Sequence, residues 1–405
     1  MQTSDKNLLT LALCLLLGWG LIGGVASGTE IAARTPPVEP VFTPILTRVL
    51  AEPQAVLGSD RRWHLVYELE LRNTTAGPAV LEQVEVRDAE RLVVLEAFSG
   101  ERLTEQFQIA GQRVTTALLE AAQFGILYLH LSFPDRESVP GALEHWVTAQ
   151  LTAVPPGQER SLSRGEPSEV GSSPTVVLGP PLQGAGYIAA DGCCASTRHL
   201  RALLPLNGEY RLSQRFAIDW EKLDRLNRIY EGPRDDPHSY FIYGQPVLAV
   251  APARVAVAVD GLLEATPGAF PENLPLAEAD GNHIILDLGR GAYVLYAHLQ
   301  PGSVQVRAGD RVQRGQVLGR VGNSGNSIAP HLHLQVMDAP SGLVANGLPY
   351  VFSRFRITGV DEAGTADFDH AEETGQPAMI VPVQPPSRHI RELPLDLTVI
   401  DWLNL

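Results

Sequence analysis

Runs in which apolar and polar residues alternate one by one recur through this chain, and a strict period of two suits only a β-strand buried on one face. In LVYELELRN, Leu65, Tyr67, Leu69 and Leu71 alternate with Glu68, Glu70 and Arg72. Thr74-Thr75-Ala76-Gly77-Pro78 supplies a turn before VLEQVEVRD, and ILYLHLSF then places Leu127, Leu129, Leu131 and Phe133 on one face. The 37 glycines and 31 prolines fit many short strands and turns. The expectation is an all-β protein whose residues 41–155 form an antiparallel, immunoglobulin-like sandwich used for spacing or binding. His64 and His130 fall on its polar positions and are expected to face solvent. Residues 156–183, rich in Pro, Gly and Ser, read as a linker. A second β-rich domain follows over 184–360. The tail, 361–405, is expected to hold a mobile loop (AGTADFDHAEETGQP) and two edge strands, MIVPVQPP and LDLTVIDW.

The ends and the charge restrict where such a chain works. Lys6 precedes LLTLALCLLLGWGLIGGV, residues 8–25, and the small residues Ala26-Ser27-Gly28 follow. This describes a secretory signal peptide over 1–28, or a retained membrane anchor through 8–25. Either places the body outside the cytoplasm, secreted or periplasmic. Leu13 before Cys14 argues against lipoprotein processing. The formal net charge of −15 argues against a nucleic-acid partner. The other two cysteines are adjacent, Cys193-Cys194, which fits a strained ring, packed thiols or a place near a metal, but no disulfide framework.

The chemistry concentrates in the second β-rich region. PHLHLQV places His331 and His333 two residues apart, so on a strand both point into one space while Leu332 and Leu334 leave the other side. RFAIDW carries Asp219 after an apolar stretch, where a buried carboxylate needs a partner. YAHLQPG carries His298, expected on the strand face of Tyr296. A single buried histidine is ordinarily a hydrogen-bonded core residue. Three histidines and an aspartate in one β-rich region point instead towards a metal site.

These segments carry a resemblance. YAHLQPGSVQVRAGDRVQRGQVLGRVGNSGNSIAPHLHLQV resembles the lysostaphin-type, or LytM-like, zinc metalloendopeptidases in the order and approximate spacing of its YAHL, G-D-x-V-x-x-G-Q-x-L-G, G-x-S-G-x-S and P-H-L-H. The likeness spans about 190–350 and implies a β-sheet groove domain that cuts peptidoglycan peptides. It implies Zn²⁺ held by a histidine, Asp219 and His333, with His298 and His331 as non-ligand catalytic residues. Three N/O ligands leave a fourth position for water, as a catalytic zinc requires. The departure is at the first ligand. Many relatives carry histidine four residues before the aspartate, where this chain has Arg215, and a guanidinium does not ligate zinc. His199 is the candidate replacement, with His238 and His283 as weaker ones. A catalytically inactive adaptor that binds wall or a partner protein is the competing reading. Tyr240, Tyr243 and Tyr296 could line a peptide groove, though tyrosines of this kind are commonly wall residues. Asn323, in the loop Gly322–Ser327, is expected to line the cleft.

Overall fold

The computed structural model describes residues 40–112, 116–194 and 198–403. The expected signal or anchor in 1–28 lies outside them. Among the described residues no helix is long and apolar enough to cross a membrane. Phe42–Leu405 hold together as one compact unit, mostly β, built from two strand systems.

The alternating segments become long antiparallel strands. Trp63–Asn73 pairs with Phe124–Phe133 at the centre of a five-stranded sheet. Ala79–Asp88 pairs with Ala142–Leu151 at the centre of a six-stranded one. Leu65, Tyr67, Leu69 and Leu71 from the first meet Val84, Val86 and Val147 from the second in one shared core, so the two sheets form a sandwich. The stretch expected as a linker supplies two further strands to it, Arg160–Arg164 and Ser168–Glu169.

The polar face of the first sheet is not a solvent face. Val56 and Val66 join the core of the second strand system, and Glu68 is buried there. His64, expected at the surface, is 3% exposed, and His130 is half-buried. Alternation tells which side chains share a face; it carries no information about what covers that face.

The second system is a ten-stranded sheet in the order Arg311–Val312, Ala253–Val259, Asn282–Gly289, Ala292–Leu299, Leu332–Met337, Ile218–Lys222, Tyr187–Ala190, Thr398–Asp401, Phe355–Asp361, Ile380–His389. Trp220, Tyr296, Leu332, Leu334, Phe352 and Trp402 form its largest core. Of the two C-terminal segments expected at an edge, Ile380–His389 is at the edge but Thr398–Asp401 is inside the sheet. The expected mobile loop is instead a helix, Thr365–Thr374. Phe368 and Ala371 bury against Ile188 and Tyr240, and Gly375 ends the helix in the left-handed conformation, its N–H on the Ala371 carbonyl. A glycine at this place after a short periodic run is a recognised helix stop, and it was readable.

Candidate metal centre

Asp219 on Ile218–Lys222 stands opposite His333 on Leu332–Met337 in antiparallel register, and Asp219 Oδ1 lies 2.8 Å from His333 Nδ1. His331 precedes that strand by one residue, with Nε2 3.5 Å from the same oxygen. Leu332 and Leu334 point the other way, into the core. The two histidines therefore share a space, as their spacing predicts.

His298 reaches this space by a different route. It was expected on the face of Tyr296, but its φ of 59° breaks the alternation. Tyr296 turns inward and is fully buried, while the His298 ring lies 4.7 Å from that of His331 and 5.9 Å from that of His333, centroid to centroid. A non-glycine residue with positive φ is strained, and such strain concentrates at functional sites.

His199 arrives from outside the sheet, on the four-residue helix Arg198–Arg201. Its Nε2 is 3.3 Å from Asp219 Oδ2. All five expected metal and catalytic side chains, His199, Asp219, His298, His331 and His333, thus meet. Each imidazole is tethered by the nitrogen turned away from the centre. His199 Nδ1 donates to the Asp191 carbonyl at 2.8 Å, His331 Nδ1 to that of Ala329 at 2.8 Å, and His298 Nδ1 to that of Ser324 at 2.8 Å. His333 is reversed, its Nε2 donating to Gln335 Oε1 at 2.8 Å. Since a carbonyl only accepts, these contacts fix the tautomers, and the second nitrogen of every ring is the one offered to the centre. This is the outer arrangement that metal-binding histidines ordinarily have.

Electrostatics point the same way. Burial alone would raise the Asp219 pKa, but His331, His199 and His333 outweigh it and hold the carboxyl well below its usual range. Burial disfavours charge on His199, yet Asp219 and then Asp191 push its pKa up to about 9. The carboxylates thus favour positive charge at the position of His199. Burial, reinforced by His331 and His333, holds His298 well below its ordinary value, and it is neutral. Two overlapping groups have their donor atoms within 4.8 Å of one another: His199–Asp219–His333 and His298–His331–His333.

Arg215, at the position where a first ligand was sought, is engaged elsewhere. Its Nε and Nη2 donate to Glu68 Oε1 and Oε2 at 2.9 and 2.6 Å, and Nη1 donates to the Gly347 carbonyl at 2.9 Å. It is a buried, two-pronged tie to the sandwich. Of the weaker substitutes, His238 pairs with Asp236 and His283 with the Gly281 carbonyl; neither joins the five.

The cleft over the site holds about 360 Å³ and is walled by Asp191, Arg198, Gln214, Phe270, Asn326, Ile328 and Glu372 besides the five. The four residues expected to line it do not. The Tyr296 hydroxyl accepts from the Val250 N–H in the core. Tyr240 is buried and donates to the Arg234 carbonyl. Tyr243 donates to Glu264. Asn323 is fully buried, accepting from the Ser327 hydroxyl at 2.6 Å, and that hydroxyl is 3.2 Å from His331 Nδ1. Asn323 therefore braces the loop under His331. Glu372 on the C-terminal helix, its pKa raised to about 7 chiefly by burial, had no sequence signal as a cleft residue, because its place is set by packing of the tail.

Residues 241–343 match the model of peptidase family M23. Over 192 residues the chain is 28% identical to a peptidoglycan DD-endopeptidase, ShyA, of Vibrio cholerae serotype O1, a match covering 44% of this chain and 41% of that protein. The chain thus spans less than half the length of this curated relative. Among solved structures, the catalytic domain of lysostaphin from Staphylococcus simulans is 22% identical, over 41% of this chain and 88% of that one, with a TM-score of 0.22. A zinc-containing peptidase from Vibrio cholerae is 12% identical, over 73% and 83%, also at 0.22.

Proposed function

We propose that this chain, which carries a peptidase family M23 domain at residues 241–343, is a zinc-dependent endopeptidase that hydrolyses peptide bonds of peptidoglycan cross-links. The observation that carries the reading is the convergence of three outward-tethered imidazoles, His199, His331 and His333, on the Asp219 carboxylate, with the His298 ring beside the latter two. His199, Asp219 and His333 are the proposed zinc ligands, in preference to the all-histidine group, because a carboxylate between two nitrogens offsets the charge of the ion. Zinc bound there would lower the pKa of a coordinated water to about 7 and polarise the scissile carbonyl.

The remaining roles belong to the other two histidines. His331, with Nδ1 committed to Ala329, takes the proton of the attacking water at Nε2. His298 begins neutral with Nδ1 on Ser324, so it donates to the developing oxyanion only once it carries a proton at Nε2. The two rings, 4.7 Å apart, share one mobile proton in this scheme. The adaptor reading was motivated by Arg215, and His199 beside Asp219 removes that motive.

The substrate supports an extracytoplasmic location, secreted or periplasmic. The sandwich, read as immunoglobulin-like, serves in this proposal as the frame that carries the peptidase domain. The test incubates the purified chain with peptidoglycan. New amine groups appear with zinc and not after chelation; no release by a zinc-loaded sample, or no zinc by elemental analysis, overturns the reading.

A further inference from the structure

We propose that His64, His130 and Cys194 form a second metal site, for a thiophilic transition-metal ion, that becomes available when the Cys193–Cys194 disulfide is reduced. It lies where the sandwich meets the second domain, and it is independent of the peptidase reading.

The two histidines come from neighbouring strands of the first sheet, Trp63–Asn73 and Phe124–Phe133, in which Val66 stands opposite His130 and His64 opposite Ser132. They are diagonal neighbours on one face. His64 Nδ1 and His130 Nε2 are 2.9 Å apart. One nitrogen of each and Cys194 Sγ lie within 4.8 Å of one another. A tetrahedral ion with bonds of about 2.0 Å to nitrogen and 2.3 Å to sulfur needs its donors only roughly 3.5 Å apart, so small shifts suffice.

The outer contacts are those of a ligating histidine. Asp60 Oδ1 accepts from His64 Nε2 at 2.9 Å, which places the His64 proton on Nε2 and leaves the Nδ1 lone pair facing His130. Carboxylate–histidine–metal chains have this form. His64 is 3% exposed and rests on the sheet, whereas His130 and Cys194 are half-buried, so an ion can enter.

Cys193 and Cys194 are joined to each other, and a disulfide sulfur is a poor ligand beside a thiolate. A dithiol reductant would be oxidised to its own disulfide and leave two protein thiols. The metal then displaces the Cys194 thiol proton, and the His130 proton moves from Nε2 to Nδ1. Cys194 precedes His199 by five residues, so an ion there would fasten the root of the segment that brings His199 to Asp219.

The test uses the chain with Cys14→Ser, which removes the only other cysteine, and cobalt(II) as the probe. Tris(2-carboxyethyl)phosphine serves as the reductant; it takes the oxygen of a water molecule to become the phosphine oxide as the disulfide becomes two thiols. The reduced chain should bind a further equivalent of cobalt and gain a thiolate-to-cobalt charge-transfer band, which a centre of nitrogen and oxygen ligands cannot give. Cys194→Ser should abolish the band, and His64→Gln and His130→Gln, made separately, should each weaken that binding at least tenfold. No further equivalent and no band after reduction overturns the proposal. So does a band of undiminished affinity in either folded histidine variant.

Discussion

The two flanks of the metal centre are held by different means. On one flank, Asp219 and His333 face each other across paired strands, and the register of the sheet alone brings oxygen and nitrogen to 2.8 Å. On the other, His199 sits on a four-residue helix, too short to be stable by itself. That helix is held from three directions. Arg198 binds Asp191 at 2.9 Å and also Asp369 of the C-terminal helix. The Asp191 carbonyl fixes the ring of His199. Arg201 donates to the Glu105 carbonyl at 2.7 Å and to Gln108 Oε1 at 3.1 Å, both in the sandwich domain, and lies over the Tyr128 ring. One pair of the proposed ligands belongs to a sheet, and the third proposed ligand belongs to the whole molecule.

Under the proposed ligand set both flanks are necessary for the ion, and the largest effects test this. His333→Ala and His199→Ala should each lower zinc affinity by about a thousandfold, since a binding energy of about 10–16 kcal/mol spread over three ligands gives several kcal/mol each. Competition against a chromophoric chelator reads it. A His199→Ala chain that retains zinc at wild-type affinity would transfer the role to the all-histidine group. Next in size is Arg215→Ala. It leaves the Glu68 carboxylate buried and unpaired, which costs about 3–5 kcal/mol, read as a lower midpoint in urea. Because Arg215 holds the sandwich and not the ion, zinc affinity of the folded protein should change far less than stability does.

What the sequence made legible follows the same division. The pair at 331 and 333 and the carboxylate at 219 could be read because strand periodicity states which way side chains point. The stop of the helix Thr365–Thr374 at Gly375 was readable as well, but the place of its cleft residue Glu372 was not, since the pattern of ten residues does not say what they pack on. His298 was placed on the wrong face because one positive φ, invisible in YAHL, undoes the alternation. Arg215 looked like a defect when read against a spacing, and it is a tie between domains when its partner is known. His64 and His130 were expected at the surface by a rule that holds only for a sheet with one free face.

Within the sheet flank the outer contacts should be felt, though less than the ligands. Gln335 is fully buried, accepts from His333 Nε2 and donates to the Gly342 carbonyl at 3.4 Å. Gln335→Leu removes the acceptor that fixes the His333 tautomer, and the expected loss in metal affinity is roughly 10–100-fold. Gln335→Glu should restore most of it, because a carboxylate accepts the same proton. Affinity unchanged in the leucine variant would mean that the register alone orients His333.

The smallest expected effect probes the flank that depends on the sandwich. Arg201→Ala keeps every proposed ligand, and among the contacts it removes are two hydrogen bonds and a ring contact between the helix of His199 and the first domain. Each such hydrogen bond contributes about 0.5–1.5 kcal/mol net, and part of that sum is now demanded of the metal, which must order the helix that Arg201 had ordered. Zinc affinity should therefore fall roughly tenfold. At saturating zinc kcat should stay within about twofold of wild type, since the bound geometry is the same. A fall in kcat at full zinc occupancy would show that the sandwich shapes the cleft itself. An unchanged affinity would show that Arg198 and Asp191 hold His199 without help, and the second flank would then be as local as the first.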